Sequence, residues 1–431
     1  MEGEIKLDII QELLQDIPLP RMVKIRQSFP ANAVKDVVGT LRAEFTHSHV
    51  LELVKPGMSI ALAVGSRGVA EIATITRVVV EEIKKCGGKP FIVPSMGSHG
   101  GATAEGQIEV LANLGVTEQT AGCPIRSTME VVQIGCLENG LPVYLDKFAS
   151  EANGIVVINR VKPHTAFRGP NESGICKMIT IGLGKQKGAE SCHAYSFKYM
   201  AENIVAMAKI VLAKAPILFA VGTVENAYDK VAKMVVVPAA EIIAKDRQLL
   251  DEAKANMPRI FFDKIDVLII DQIGKDVSGD GMDPNITGRY PTPYASGGPD
   301  VSKMVVLDLT DSTHGNGNGM GTADFATRKL VDKVNFKMTY ANGLTSTVVG
   351  PTHMPTILDN DRDAIRAAIK TCNALNLSKA KIVRIKDTLH LGEIWISEEL
   401  LAAAVQNPHI TILGEPQQMS FDAEDNLEKS E

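Results

Sequence analysis

Three apolar runs in the first half of the chain each end in a polar turn marked by glycine or proline. They read IALAVG, FIVPSMG and GIVVINRVKP. Short apolar runs bounded by such turns are typical of buried β-strands. Helical patterns separate the first two runs, and strands that alternate with helices favour a parallel, doubly wound sheet. The pattern therefore predicts a Rossmann-like α/β fold for this half of the chain.

The segments between these runs carry signals for helices and for one hairpin. Apolar residues recur at helical spacing over 69–86, and two glycines follow as a stop signal. A second helix is expected around 104–114. The runs VVQIG and LPVYLD flank Asn139 and Gly140, a pair that favours a tight hairpin turn.

The pattern of strands and helices continues to a break near residue 258. An amphipathic helix is expected at 196–214, followed by the strands ILFAVG and MVVVP and by a helix that opens near Pro238. The pair Met257-Pro258 breaks that helix, because proline cannot continue the hydrogen-bond ladder. We place the domain boundary there, with domains at 1–258 and 259–431.

The second domain is also expected to be α/β. The runs DVLIID, MVVLDL and KIVRIKD predict strands, and helices are expected near 323–334 and 361–375. Long loops rich in glycine and aspartate follow the first two strands, and such loops are usually functional or disordered. We expect them to contribute substrate contacts, with the active site in the cleft between the domains.

Composition excludes two classes of partner. The formal charge of -6, the pI near 5.9 and an aromatic content of 5% argue against nucleic acid. The most apolar stretch is interrupted by Lys209 and Lys214, which argues against a membrane span. The N-terminus lacks a secretory signal, and the six cysteines form no CxxC pair. We expect a cytoplasmic protein.

Arg67, His99 and His164 directly follow the three strand-like runs. Open α/β sheets bind their ligands outside the carboxyl ends of such strands. A guanidinium there can bind a carboxylate in a bidentate manner. A histidine with a near-neutral pKa can act as general base for one proton and as general acid for another. Two histidines that face one substrate would permit attack from either side.

Two further residues suggest covalent and metal chemistry. Lys177 lies in the segment SGICKMITIGLGKQKG, with apolar residues around it. Desolvation would favour its neutral form and make it a covalent anchor or a nucleophile. His193, in SCHAYSF, could bind a metal ion through an imidazole nitrogen.

The set resembles the nickel-pincer-nucleotide-dependent racemase superfamily, of the lactate racemase type. Arg67 and the His99 turn GSHGG are 32 residues apart, as in that family. The dipeptide PH in PHTAF gives His164, and Lys177 precedes His193 by sixteen residues. The resemblance covers the order of elements over roughly 1–260.

The resemblance implies a racemase or epimerase that inverts C2 of a 2-hydroxy acid by hydride transfer. Its cofactor would be the nickel-pincer nucleotide, nickel-pyridinium-3,5-bisthiocarboxylic acid mononucleotide. In this reading, Lys177 holds the cofactor by a thioamide and His193 binds nickel. Arg67 holds the substrate carboxylate, while His99 and His164 serve its two faces.

The resemblance also implies partners and further substrate contacts. Gln272 and Lys275 resemble the family in place and spacing, three positions apart after DVLIID, and would bind substrate. The partners would be a small hydroxy acid and the enzymes that make the cofactor.

Two alternatives stay open from the residues alone. His99, His164 and His193 could form a zinc triad for hydrolysis. A non-catalytic carrier of metal or nucleotide would use His193 and the cationic segment that contains Lys177. The first alternative leaves Lys177 without a task, and the second leaves Arg67 without one.

Overall fold

The computed structural model describes residues 8–65 and 69–428, which form two compact units. The first unit spans Pro30–Met257. The second unit combines the described residues up to Phe29 with those from Pro258 onward. Each unit is built around its own mixed or largely parallel sheet, so the fold is α/β, as predicted.

The described residues contain fifteen α-helical segments, joined by short 3₁₀ turns. In chain order they are α1 (Ile9–Leu14), α2 (Val37–Ser48), α3 (Ile72–Lys85), α4 (Ala104–Asn113), α5 (Glu118–Ala121), α6 (Lys147–Ser150), α7 (Ile175–Lys177), α8 (Lys185–His193), α9 (Met200–Lys214), α10 (Ile242–Asn256), α11 (Pro284–Thr287), α12 (Arg328–Asp332), α13 (Phe336–Ser346), α14 (Asp361–Thr371) and α15 (Leu401–Gln406).

The same part of the chain forms fifteen strands. They are β1 (Met22–Gln27), β2 (Ser59–Val64), β3 (Lys89–Pro94), β4 (Val131–Cys136), β5 (Pro142–Asp146), β6 (Gly154–Arg160), β7 (Ile217–Glu225), β8 (Val231–Pro238), β9 (Lys264–Ile273), β10 (Asp300–Leu309), β11 (Phe325–Thr327), β12 (Thr356–Leu358), β13 (Ile382–Ile385), β14 (Glu393–Ser397) and β15 (Ile410–Ile412).

The first unit contains a five-stranded sheet in the order β3-β2-β6-β7-β8. The first four strands are parallel, and β8 pairs antiparallel with β7. β2, β3 and β6 are buried along most of their length because their side chains are apolar on both faces. The predicted parallel strands are thereby confirmed. The predicted hairpin is confirmed as well: β4 pairs antiparallel with β5, and Gly140 takes a φ of +88° in the turn.

The second unit contains an eight-stranded sheet in the order β12-β11-β10-β9-β13-β14-β1-β15. The strands from β12 to β13 in this order are parallel, and the remaining pairings are antiparallel. Helix α14 packs on this sheet through a buried apolar face that includes Ile365 and Ile369. The predicted strands DVLIID, MVVLDL and KIVRIKD correspond to β9, β10 and β13.

The N-terminal strand differs from the sequence-based division of the chain. We assigned residues 1–29 to the same domain as the residues up to 258. The structure instead places β1 between β14 and β15, inside the sheet of the second unit. Its pairing partners lie more than 350 residues away in sequence, so no local pattern could reveal them.

The predicted helix at 323–334 is only partly present. The buried three-residue strand β11 occupies its first part, and α12 begins after the Thr327 cap. A strand of three residues is too short to display an alternating pattern. Within the described ranges, no helix combines the length and apolarity that crossing a bilayer requires.

Candidate active site

The first unit brings two of the predicted histidines to one edge of its sheet. His99 follows β3 and His164 follows β6, and both strands run parallel to β2, which lies between them. Neighbouring strands are about 4.8 Å apart, so the carboxyl ends of β3 and β6 are roughly 10 Å apart. Arg67 follows β2 in sequence but lies outside the described residues. This is the edge at which open α/β sheets bind ligands.

The loop that carries His164 is organised by a buried carboxylate, that of Glu172. Oε2 of Glu172 accepts a hydrogen bond from the backbone N–H of His164 at 2.8 Å. Its other oxygen accepts from the ammonium of Lys254, on α10, at 2.9 Å. The two ends of the loop are joined by paired backbone hydrogen bonds between Lys162 and Ser173. Glu172 is 1% exposed, and the position of the His164 backbone depends on it.

Helix α7, which ends at Lys177, is held at its start by a second buried carboxylate. Oδ1 of Asp246, on α10, accepts from the Ile175 N–H at 2.6 Å, and Oδ2 accepts from the Asn171 amide at 3.0 Å. Burial raises the pKa of Asp246, and these hydrogen bonds act against that rise. A Cβ on Gly174 would lie 2.1 Å from Oδ1 of Asp246, so the close approach requires glycine there.

A π-helical turn, Met178–Gly182, follows Lys177 and contacts the His99 turn. Gly97, in the turn after β3, donates its N–H to the carbonyl of Gly182 at 3.4 Å. A Cβ on Gly182 would lie 2.8 Å from the carbonyl oxygen of Ser95. Single π-helical turns occur frequently at functional sites. The segment that carries Lys177 therefore packs directly on the strand end that precedes His99.

Lys177 and His164 are in direct contact. Nζ of Lys177 lies 2.7 Å from Nε2 of His164. Nδ1 of the same ring accepts a hydrogen bond from the backbone N–H of Ala166 at 3.0 Å. A neutral imidazole that accepts at Nδ1 carries its proton on Nε2. In this arrangement the imidazole donates and the lysine nitrogen accepts, which requires Lys177 to be a neutral amine.

His193 is prepared as a ligand through its other nitrogen. It ends α8, and its Nδ1 lies 2.6 Å from the carbonyl oxygen of Ala189, so Nδ1 carries the proton. Burial lowers the pKa of His193, and a charge on Lys177 acts in the same direction. A neutral imidazole that donates from Nδ1 to a carbonyl leaves the lone pair of Nε2 for a metal ion.

Phe197 joins the two histidines. Its ring centroid lies 5.9 Å from that of His164 and 5.3 Å from that of His193. His164 also packs against Phe167, at 4.4 Å between centroids. His164, Lys177 and His193 thus form one cluster beside an aromatic wall, although 29 residues separate the first from the last.

The His99 turn is fixed through its backbone, while the His99 side chain is exposed. Nε2 of the buried Gln107 donates to the carbonyls of Gly97 and His99, at 3.0 and 3.2 Å. Oε1 of Gln107 accepts from the buried Lys185 at 2.9 Å. Lys185 also forms an ion pair with Asp146 at 3.3 Å, and burial lowers the pKa of Lys185. Lys185 therefore has a structural role beneath the turn.

Gln272 and Lys275 lie in the second unit, at the carboxyl end of β9. Gln272 is the ninth residue of that strand, whereas the sequence predicted it on the loop that follows. The backbone N–H of Lys275 donates to Oγ1 of Thr313 at 3.0 Å, and its Nζ donates to the carbonyl of Gly279 at 2.5 Å. Both residues are half-buried.

A metal site made of protein side chains alone is not supported. Over residues 8–65 and 69–428, no three His, Cys, Asp or Glu side chains are grouped so that they could hold one ion. His99, His164 and His193 therefore do not form the zinc triad of the hydrolase alternative. A cofactor that supplies most donors to its own metal needs a single protein ligand, and His193 has the free Nε2 for that task.

Two residues that organise the site were not identified from the sequence. Asp246 had a signal: it occupies the apolar stripe of α10 together with Ile242, Leu249 and Leu250, where a carboxylate is out of place. Glu172 had none, because a carboxylate in a loop is ordinarily solvated.

Comparisons with known proteins agree with this geometry. Residues 2–204 match the family described as lactate racemase N-terminal domain. Among solved structures, the chain is similar to the lactate racemase apoprotein from Thermoanaerobacterium thermosaccharolyticum. That match has a TM-score of 0.52 and 12% identity, and it covers 86% of this chain and 99% of that one. At this identity it bears on the fold alone. A comparison with curated protein sequences gives no match.

Proposed function

We propose, because the chain belongs to the lactate racemase-like family, that it is a racemase or epimerase that inverts C2 of a 2-hydroxy acid. The observation that carries the proposal is the contact of Lys177 with His164 beside His193. An amine nucleophile, a proton-transfer group and a single metal ligand in one cluster fit covalent attachment of a metal cofactor better than they fit hydrolysis.

The nickel-pincer nucleotide is the cofactor that this cluster would hold. Lys177 would hold it through a thioamide bond, and His193 would bind its nickel through Nε2. The donor set supports this assignment, because Lys177 is a neutral amine and His193 is a neutral imidazole whose Nδ1 proton is already engaged. When bound, the cofactor would supply the acceptor and donor of the C2 hydrogen.

The chain's own residues would bind and orient the substrate and move its hydroxyl proton. Arg67 would hold the substrate carboxylate, and Gln272 and Lys275 would add polar contacts. His99 and His164 would face opposite sides of C2, and each would act as base in one direction and as acid in the other. To accept a proton at Nε2, the ring of His164 must first leave the Ala166 N–H.

Partners and location follow from the same proposal. The enzymes that make the cofactor would act on this chain before it becomes active. All six cysteines are free thiols, which is typical of proteins from a reducing compartment, so we place the protein in the cytoplasm.

Intact mass and metal content test the attachment. After co-expression with the cofactor-making enzymes, we expect a covalent adduct with one nickel per chain, mapped by peptide mass spectrometry to Lys177. Lys177→Ala should lose the adduct and the activity. Lys187→Ala is the matched control, because Lys187 is exposed on the adjacent α8 and should keep both. An adduct on another lysine, or none, would refute the assignment.

A substrate labelled with deuterium at C2 tests the reaction class. A panel of 2-hydroxy acids should reveal at least one that the loaded protein inverts, and its label should largely survive turnover. The label would survive because the hydrogen is held on the cofactor, away from water. Rapid washout into solvent would indicate proton abstraction at carbon, and an absence of inversion with all substrates would favour the carrier alternative.

A further inference from the structure

We infer that His164 has a task before turnover: it holds Lys177 as a neutral, oriented amine for acylation by the cofactor and is released to the substrate only afterwards. The inference rests on the proposed function in one respect, which is that Lys177 carries the cofactor. It adds a loading role, that of a positioning residue, to a histidine proposed for proton transfer.

The first support is the placement of hydrogen atoms along the chain of contacts from Ala166 to Lys177. The Ala166 N–H points at Nδ1 of His164 at 3.0 Å, so the ring proton is on Nε2. An ammonium has donors and no lone pair. If Lys177 were charged, two donors would face each other across 2.7 Å. The neutral amine is the form of lysine that completes this contact.

The second support is that both partners are fixed from outside the contact. Glu172 holds the backbone of His164, and Phe167 packs against its ring. Asp246 holds the start of the helix that carries Lys177. Cationic groups also surround the loop, since Arg168 and Lys254 both contact Glu172. A second positive charge at Lys177 would add to that local charge, which further favours the neutral amine.

The attachment step balances without an oxidant or a reductant. The lone pair of Nζ attacks the thiocarboxyl carbon, a C–N bond forms and a C–O bond breaks. One amine proton leaves with the hydroxyl group as water, and the other stays on the thioamide nitrogen. His164 keeps its ring proton throughout and serves to orient the amine.

Acylation then changes the contact between the two residues. The lone pair of a thioamide nitrogen is delocalised into the thiocarbonyl, so this nitrogen no longer accepts a hydrogen bond. The Nε2 proton of His164 loses its acceptor, and the ring becomes free to turn toward the substrate. Loading and readiness for proton transfer are coupled through one side chain.

Acylation of the cofactor-free protein tests the inference without any activity assay. The probe is N-hydroxysuccinimidyl acetate at pH 7.5, with the acetylation rates of Lys177 and Lys187 measured by peptide mass spectrometry. An ordinary lysine has a pKa of about 10.4, so roughly one part in a thousand is neutral at this pH. We expect the ratio of the Lys177 rate to the Lys187 rate to fall at least about tenfold in His164→Phe.

The matched control is His47→Phe, an exposed histidine of the same unit, which should leave the ratio within about twofold of its original value. An unchanged ratio in His164→Phe would overturn the inference. The adduct on Lys177 in co-expressed protein is a separate measurement. Its loss would refute the proposed function, whereas an unchanged ratio refutes the loading role alone.

A measurement on the unaltered chain guards against misfolding of the variant. Nitrogen-15 NMR of histidine side chains distinguishes the two neutral tautomers, and the His164 signals can be assigned through their contact with the Ala166 amide. We expect the proton on Nε2 before acetylation of Lys177. A proton on Nδ1 would contradict the hydrogen-bond arrangement and overturn the inference.

Discussion

Replacement of Asp246 by alanine should loosen the helix that presents Lys177. Its carboxylate accepts the Ile175 N–H at 2.6 Å and the Asn171 amide at 3.0 Å, and both contacts are buried. Alanine provides no acceptor at this position. Since Asp246 lies on α10 and these partners lie around α7, the change should act on the site without altering a residue that touches a ligand.

The size of the effect follows from the two donors left without a partner. Each buried, unsatisfied donor costs about 1–3 kcal/mol, so the gross loss is about 2–6 kcal/mol. Burial raises the pKa of Asp246, which means that burying its ionised form itself costs free energy. Removal of the carboxylate recovers part of that cost. We expect a net loss of about 2 kcal/mol in the free energy of unfolding.

The raised pKa also predicts how the loss depends on pH. A carboxyl whose folded pKa exceeds the unfolded value of about 3.9 contributes stability when protonated and loses it as pH rises through the folded value. The difference between the original chain and Asp246→Ala should therefore grow as pH falls from about 8 to about 5. Other titrating groups cancel in that difference.

Urea unfolding at several pH values measures these quantities. Asp251→Ala is the matched control, because Asp251 is exposed on the same helix, and it should stay within about 0.5 kcal/mol of the original chain. Acetylation of Lys177 should also change in Asp246→Ala and not in the control. Equal stability of the two variants, or a difference that shrinks toward low pH, would refute the reasoning.

Three further changes probe other parts of the site. Because burial lowers the pKa of His193, its neutral form contributes stability above about pH 6.5 that is lost as pH falls, so His193→Gln should flatten the drop in Tm between about pH 7 and 5; an equal drop in both chains would contradict this. A methyl group in Gly182→Ala would meet a sulfur at 2.6 Å and a carbonyl oxygen at 2.8 Å, so urea unfolding should show a loss of about 1–3 kcal/mol, whereas Gly350→Ala has open space and should be nearly neutral. Lys185→Met leaves the buried carboxylate of Asp146 unpaired and should cost about 3–5 kcal/mol by the same assay, and a near-neutral result would show that the pair does not support the His99 turn.

The parallel strands of the first unit could be predicted because their signal is local. β2, β3 and β6 are continuous apolar runs that end in glycine- or proline-marked turns, and burial on both faces requires such runs. The same signal placed His99 and His164 at the carboxyl edge. Their shared edge follows from strand order, which the sequence supports only through the alternation of strands and helices.

The contacts that organise the site could not be predicted, because each joins segments that are distant in sequence. Asp246 meets Ile175 across 71 positions, and Lys254 meets Glu172 across 82. The tautomer of His164 depends on one backbone N–H two residues away. Such details depend on the conformation of the loop, and spacing along a chain does not encode it.

The position of β1 bears on how the chain folds during synthesis. β1 emerges from the ribosome first, yet its two neighbours, β14 and β15, are made near the end of the chain. The first unit, Pro30–Met257, can complete its own sheet in the meantime. β1 must wait, and its unpaired edges are exposed until the last residues arrive. A chain that begins at residue 258 should therefore expose the edges of β14 and β15 and aggregate, and adding a peptide of residues 8–29 during refolding should reduce that aggregation.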